Sequence, residues 1–160
     1  EIVNRHGYVL VTGAHDSLVG IVTSADLGEA LADLAQPFLY FGRLEESLRA
    51  IFDLLRERGE LTPEDVGRAL RGAPRDLTAP AQQFTLGDLV TVLTEKVVWS
   101  RLTGTFERVA IQRSLQQAVA TRNRLMHFRA LSQDDERTVD GLRNLVRVVA
   151  SILEDLRAAA

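Results

Sequence analysis

From Phe38 onward the apolar residues of this chain recur three and four positions apart, and that spacing constrains the fold more than any other feature. Phe38, Phe41, Leu44, Leu48, Ile51, Phe52 and Leu55 form one stripe, and at 3.6 residues per turn such a stripe lies on a single helical face. A helix with one apolar face has to bury it against other elements, so residues 37–160 predict an all-α bundle. The helix starts are marked locally. Pro37 suits a first turn, Thr62-Pro63-Glu64-Asp65 carries a capping threonine followed by acids, and Thr85 precedes Asp88 by the spacing of a capping box. Ser132 precedes Asp134, Asp135 and Glu136, which suit the positive end of a helix dipole.

The resulting expectation is five helices: from Pro37 to Gly59, from Pro63 to near Gly72, from Thr85 to about Trp99, from about Phe106 to Phe128, and from Ser132 to near the end. Leu86, Leu89, Val90, Leu93 and Val97 are the expected inward positions of the third helix; Val109, Ile111, Leu115, Val119, Leu125 and Met126 are those of the fourth. Residues 73–83, with Pro74 and Pro80, read as a loop, and Gly104 as an interruption. Residues 1–36 follow a different pattern. Val9-Leu10-Val11 and Leu18 to Thr23 are short β-type runs separated by turn formers, which predicts a hairpin; Leu27, Leu31 and Leu34 then mark a short helix. The fold class expected is therefore mainly α, with a short N-terminal hairpin and helix at 1–36 and a five-helix domain at 37–160.

An apolar fraction of 46% against 26% charged residues is that of an ordinary globular domain and excludes a largely disordered chain. No apolar run approaches the roughly 18 residues of a membrane span, and no basic start precedes an apolar block. A cytoplasmic protein without a membrane partner is expected. Cysteine is absent and His6, His15 and His127 do not share a ligand spacing. No cofactor is therefore expected, and any catalysis is metal-independent or uses a metal held by carboxylates. The formal charge of −3 argues against a protein that coats nucleic acid generally, yet basic residues outnumber acidic ones between 101 and 147. Arg108, Arg113, Arg122, Arg124, Arg129, Arg143 and Arg147 form either a solvated helical surface or a face for an anionic ligand.

Within that segment, Arg122-Asn123-Arg124-Leu125-Met126-His127 places a phosphate-binding fork, an amide and a group that titrates near neutrality within two helical turns. Asn123 and His127 are four apart and share a face, so the amide can orient the imidazole. Arg122 lies about 140° around the helix from His127. One straight helix does not aim both at one atom, whereas a distorted last turn, or a homodimer that shares a cleft, could combine them. The alternative is structural: His127 satisfies a carbonyl at the helix end, and Arg122 pairs with Asp134 or Asp135.

On this hexapeptide and the helical array around it, residues 37–156 resemble the HEPN superfamily. Its active members carry an arginine, a polar residue, about three variable residues and a histidine, matched here by Arg122, Asn123 and His127, with Phe128 following. The resemblance implies a metal-independent endoribonuclease that acts as a homodimer, with the motifs meeting across the interface. Its partners would then be RNA and, in a toxin–antitoxin or defence setting, an antitoxin-like protein. Relatives without activity serve as dimerisation or RNA-binding modules. The run Tyr8-Val9-Leu10-Val11, followed by Leu18 to Leu27, resembles the closing part of a CBS module. That resemblance implies ribose contacts to an adenine nucleotide from Thr23 and Asp26, in a complete CBS pair. Here the first strand and helix of the module are lacking, so the chain is expected to begin mid-module. Thr23 and Asp26 have a second reading as the cap of the following helix.

Overall fold

A computed structural model describes residues 5–72, 81–102 and 106–159. The architecture is mainly helical with one two-stranded antiparallel sheet. The chain divides into two compact units, Glu1–Leu39 and Tyr40–Ala160.

In the first unit, strands β1 (Tyr8–Thr12) and β2 (Leu18–Thr23) pair in the register Tyr8↔Thr23, Val9↔Val22 and Leu10↔Ile21, with a bulge between Val11 and Thr12. The connection contains a single 3₁₀ turn (Ala14–Asp16) in which His15 and Asp16 take φ of 62° and 59°. A Cβ at Gly13 would stand 2.8 Å from Val19 Cγ1, so a larger residue there would push the exposed Val19 side chain aside. Val9 and Val22 are half-buried, whereas Tyr8, Leu10, Val19 and Ile21 are exposed. A hairpin of this size covers at most one of its faces.

Helix α1 (Ser24–Glu57) carries Pro37 inside it. The expected division into a short helix and a new helix starting at Pro37 is thus incorrect. Proline has no N–H for the carbonyl of Asp33, which weakens one turn, but residues 24–36 are themselves good helix formers behind a cap, and the helix runs on. Leu27, Leu31 and Leu34 show the expected helical spacing, yet all three are exposed, Leu34 to 70%.

The second unit contains the core. From α1 it takes Phe41, Leu44, Leu48, Ile51, Phe52 and Leu55, which are buried as their spacing requires; Phe38 is 39% exposed. The other helices are α2 (Pro63–Ala69), α3 (Leu86–Leu93), α4 (Lys96–Trp99), α5 (Arg108–Met126) and α6 (Gln133–Ala158). Thr62, Thr85 and Ser132 each form a capping box, with Asp65, Asp88 and Asp135 respectively. The expected helix 85–99 is broken. Thr94 ends α3, its hydroxyl donating to the carbonyl of Val90, and the Glu95 carboxylate accepts from the N–H groups of Val97 and Val98 to start α4. The break re-phases the chain, so Val98 is buried and Val97, expected inward, is exposed. On α5, Leu115 is buried but Val109 and Met126 are exposed, contrary to the reading of their spacing. The loop expected at 73–83 falls, through residue 80, outside the described residues, as does Gly104.

Asp65 ties the start of α2 to the chain beyond α4. It accepts from the Thr62 N–H, Arg68 and Arg101. Burial acts to raise its pKa, but the hydrogen bonds from Arg101, Thr62 and Arg68 outweigh it and hold the carboxyl at about 2. α5 and α6 pack together, with Leu115, Ala118, Leu142 and Val149 all buried in the common core.

Candidate functional site

The hexapeptide occupies the last two turns of α5. The helix ends at His127, its C-cap, whose N–H reaches the carbonyls of Asn123 and Arg124 at 3.2 Å. The N–H of Phe128 then donates to the Leu125 carbonyl and that of Arg129 to the Arg124 carbonyl, both at 3.0 Å. This is the six-to-one and five-to-two pairing that satisfies the orphan carbonyls of a helix end.

The turn is anchored to α6 through Asp135. This buried carboxylate accepts from the Ser132 N–H at 2.8 Å, the Ser132 hydroxyl at 2.6 Å, the buried Thr121 hydroxyl at 2.7 Å and the Arg124 guanidinium. The Ser132 hydroxyl and N–H, then Thr121 and Arg124, hold its pKa far below the ordinary carboxylate value against the opposing effect of burial. Sequence reasoning saw Asp135 as a helix-start acid and missed the rest. The spacing of Ser132 and Asp135 was the available signal, but Thr121 and Arg124 reach this carboxylate only through folding.

Arg122 does not pair with Asp134 or Asp135. Asp134 bonds Arg137 at 3.2 Å, and Asp135 is occupied as described. Instead an Arg122 Nη2 lies 4.0 Å from Glu45 Oε2 on α1, and its Nη1 donates to Asn123 Oδ1 at 3.4 Å. Glu45 in turn binds Arg49, which donates to the carbonyls of Ala81 and Phe84. The Arg122 side chain remains 34% exposed, enough to meet an anion. Asn123 and His127 are exposed. Arg122 and Asn123 are thus brought together, while the amide oxygen faces the guanidinium and not the imidazole. His127 makes no side-chain hydrogen bond among the described residues.

Thr23 and Asp26 lie in the first unit, at the start of α1. Asp26 Oδ2 accepts from both the hydroxyl and the N–H of Thr23 at 2.7 Å, and the Asp26 N–H donates to the Thr23 hydroxyl at 3.3 Å. The Thr23 hydroxyl, then its N–H, lowers the Asp26 pKa. This is a helix cap in which the two side chains are engaged with each other.

A groove of about 470 Å³ lies between α5 and α6, with Ile111, Leu145 and Val148 among its apolar residues and Asp134 and Arg137 among its charged ones. It includes none of Arg122, Asn123 and His127. Among the described residues no group of three or more histidine or acidic side chains is placed to hold a metal ion, and no helix is long and apolar enough to cross a membrane. No family model, curated protein or solved structure matches the chain.

Proposed function

We propose that this chain is an endoribonuclease needing no metal, whose site is formed by Arg122, Asn123 and His127 and completed by a second copy of the chain. The observation that carries the reading is the exposure of the motif at the end of α5. The imidazole of His127 is exposed and makes no side-chain hydrogen bond among the described residues, while Arg122, 34% exposed, lies 4.0 Å from Glu45 and donates to Asn123. Positions 122 and 127 lie about 140° apart around an ideal helix, so a second copy would bring the two groups to one phosphate.

In the reaction proposed, one His127 imidazole takes the proton of an RNA 2′-hydroxyl, whose oxygen attacks the adjoining phosphorus. The bond to the 5′-oxygen breaks, and a protonated imidazole from the other copy supplies that oxygen with its proton. The products are a 2′,3′-cyclic phosphate and a 5′-hydroxyl. Arg122 binds the phosphate and stabilises the charge that develops on it, and Asn123 donates through its amide to a phosphate oxygen. The requirement for a 2′-hydroxyl selects RNA over DNA.

Cleavage of structured RNA in EDTA tests the reading. His127→Ala is expected to lower the rate about 10²–10⁴-fold; equal cleavage by that variant excludes the assignment. A second reading, a non-catalytic dimerisation or RNA-binding domain, draws on the Arg122–Glu45 contact, which gives the arginine a structural partner. It expects intact RNA and a dimer that Arg122→Ala weakens. An adenine nucleotide bound through Thr23 and Asp26, and an antitoxin-like partner, are further proposals.

A further inference from the structure

The turn that closes α5 requires the residue after the C-cap to take a positive φ, and glycine is its sterically favoured occupant. Here the position is filled by Phe128, at φ 51°. A bulky side chain is disfavoured in left-handed backbone. Burial of the ring would offset that cost, but Phe128 is 95% exposed, the most exposed large apolar side chain among the described residues. Neither the backbone nor the solvent favours phenylalanine here, and strain of this kind points to a ligand.

We infer that the Phe128 ring is a stacking platform for an unpaired nucleobase of single-stranded RNA. The ring's neighbours in the chain are His127 and Arg129. Arg129 is exposed and forms no ion pair among the described residues, and partly exposed Arg122 lies six positions before Phe128. An aromatic face for the base with guanidinium groups for the phosphates is the combination by which single strands are held. A protein partner would favour apolar neighbours, and the residues on either side of Phe128 in the chain are a histidine and an arginine. The inference rests on the reading of Arg122, Asn123 and His127 as an RNA site, to which it adds the contact that seats a base beside the scissile phosphate.

The test uses a short single-stranded oligoribonucleotide carrying 2-aminopurine, in EDTA at low salt, with the full chain as wild type, Phe128→Trp, Phe128→Gly and His127→Ala. Stacking quenches the probe. Wild type, Phe128→Trp and His127→Ala are expected to quench it, whereas Phe128→Gly binds roughly tenfold more weakly without quenching. Phe128→Gly should also melt at a higher temperature, since glycine relieves the left-handed backbone, and this separates lost binding from lost fold. Unchanged quenching by Phe128→Gly overturns the inference and leaves the nuclease reading standing. Quenching by wild type without any cleavage supports the platform and removes the nuclease. Wild type that fails to bind the probe overturns both. A Phe128→Gly chain that changes its sedimenting mass with unaltered RNA affinity assigns the ring to a protein contact and overturns the stacking role.

Discussion

At the C-terminus of α5, a phenylalanine stands where backbone geometry favours glycine, and the side chains around Asp135 explain why the turn nonetheless forms. Thr121, Ser132 and Arg124 converge on that one buried carboxylate, so the end of α5 and the start of α6 are joined through side chains other than that of Phe128. Thr121→Val removes one of these donors while keeping the shape of the side chain. It is expected to cost about 1 kcal/mol in denaturant unfolding. The folded pKa of Asp135 lies below its ordinary value, so its stabilising effect is full above pH 4 and declines as the carboxylate protonates. Asp135→Asn should therefore flatten the acid limb of the stability profile, which thermal melts over a pH series would show. Arg122, Asn123 and His127 were legible as residue types in the sequence. Their partners were not: Glu45 lies far away along the chain, and neither helical spacing nor charge counting pairs it with Arg122.

Among the elements, legibility followed the range of the forces involved. The starts of α2, α3 and α6 were visible because a capping box needs only residues three apart, and the buried stripe from Phe41 to Leu55 was visible because burial selects a helical period. The reading failed where one local signal competed with another. Pro37 suggested a start, but the helix-forming residues behind it extend α1 through it. Pro37→Ala is expected to strengthen that turn by roughly 3 kcal/mol, detectable as slower amide exchange around residues 37–41. Thr94 and Glu95 gave no breaking signal in the apolar pattern, and yet their side chains end one helix and begin the next. Glu95→Ala leaves the N–H groups of Val97 and Val98 without their carboxylate partner. The loss should be about 1 kcal/mol by chemical denaturation.

For the molecule as a whole, the two units differ in how far apolar sequence is translated into burial. The second closes a continuous core around α1, α3, α5 and α6, while the first leaves leucines at 67% and 70% exposure on α1, at Leu31 and Leu34. Replacing both with glutamate should leave the denaturation midpoint of the second unit within the effect of about 0.5 kcal/mol usual for surface changes, and reduce binding of an apolar dye. Asp65 adds an acid sensitivity to the second unit. Its pKa falls from 3.8 to about 2 on folding, so stability is retained above pH 4 and lost as pH falls toward 2. Glu45 has a consequence of another kind. Two guanidinium groups lean on this one carboxylate, and Arg49 is also fastened to the carbonyls of Ala81 and Phe84. Glu45 thus links the segment 81–84, through Arg49, to Arg122 near the end of α5. If Arg122 is the phosphate contact proposed above, Arg49→Gln, which leaves Glu45 to Arg122 alone, is expected to weaken RNA binding from a distance, and adding Glu45→Gln to restore it.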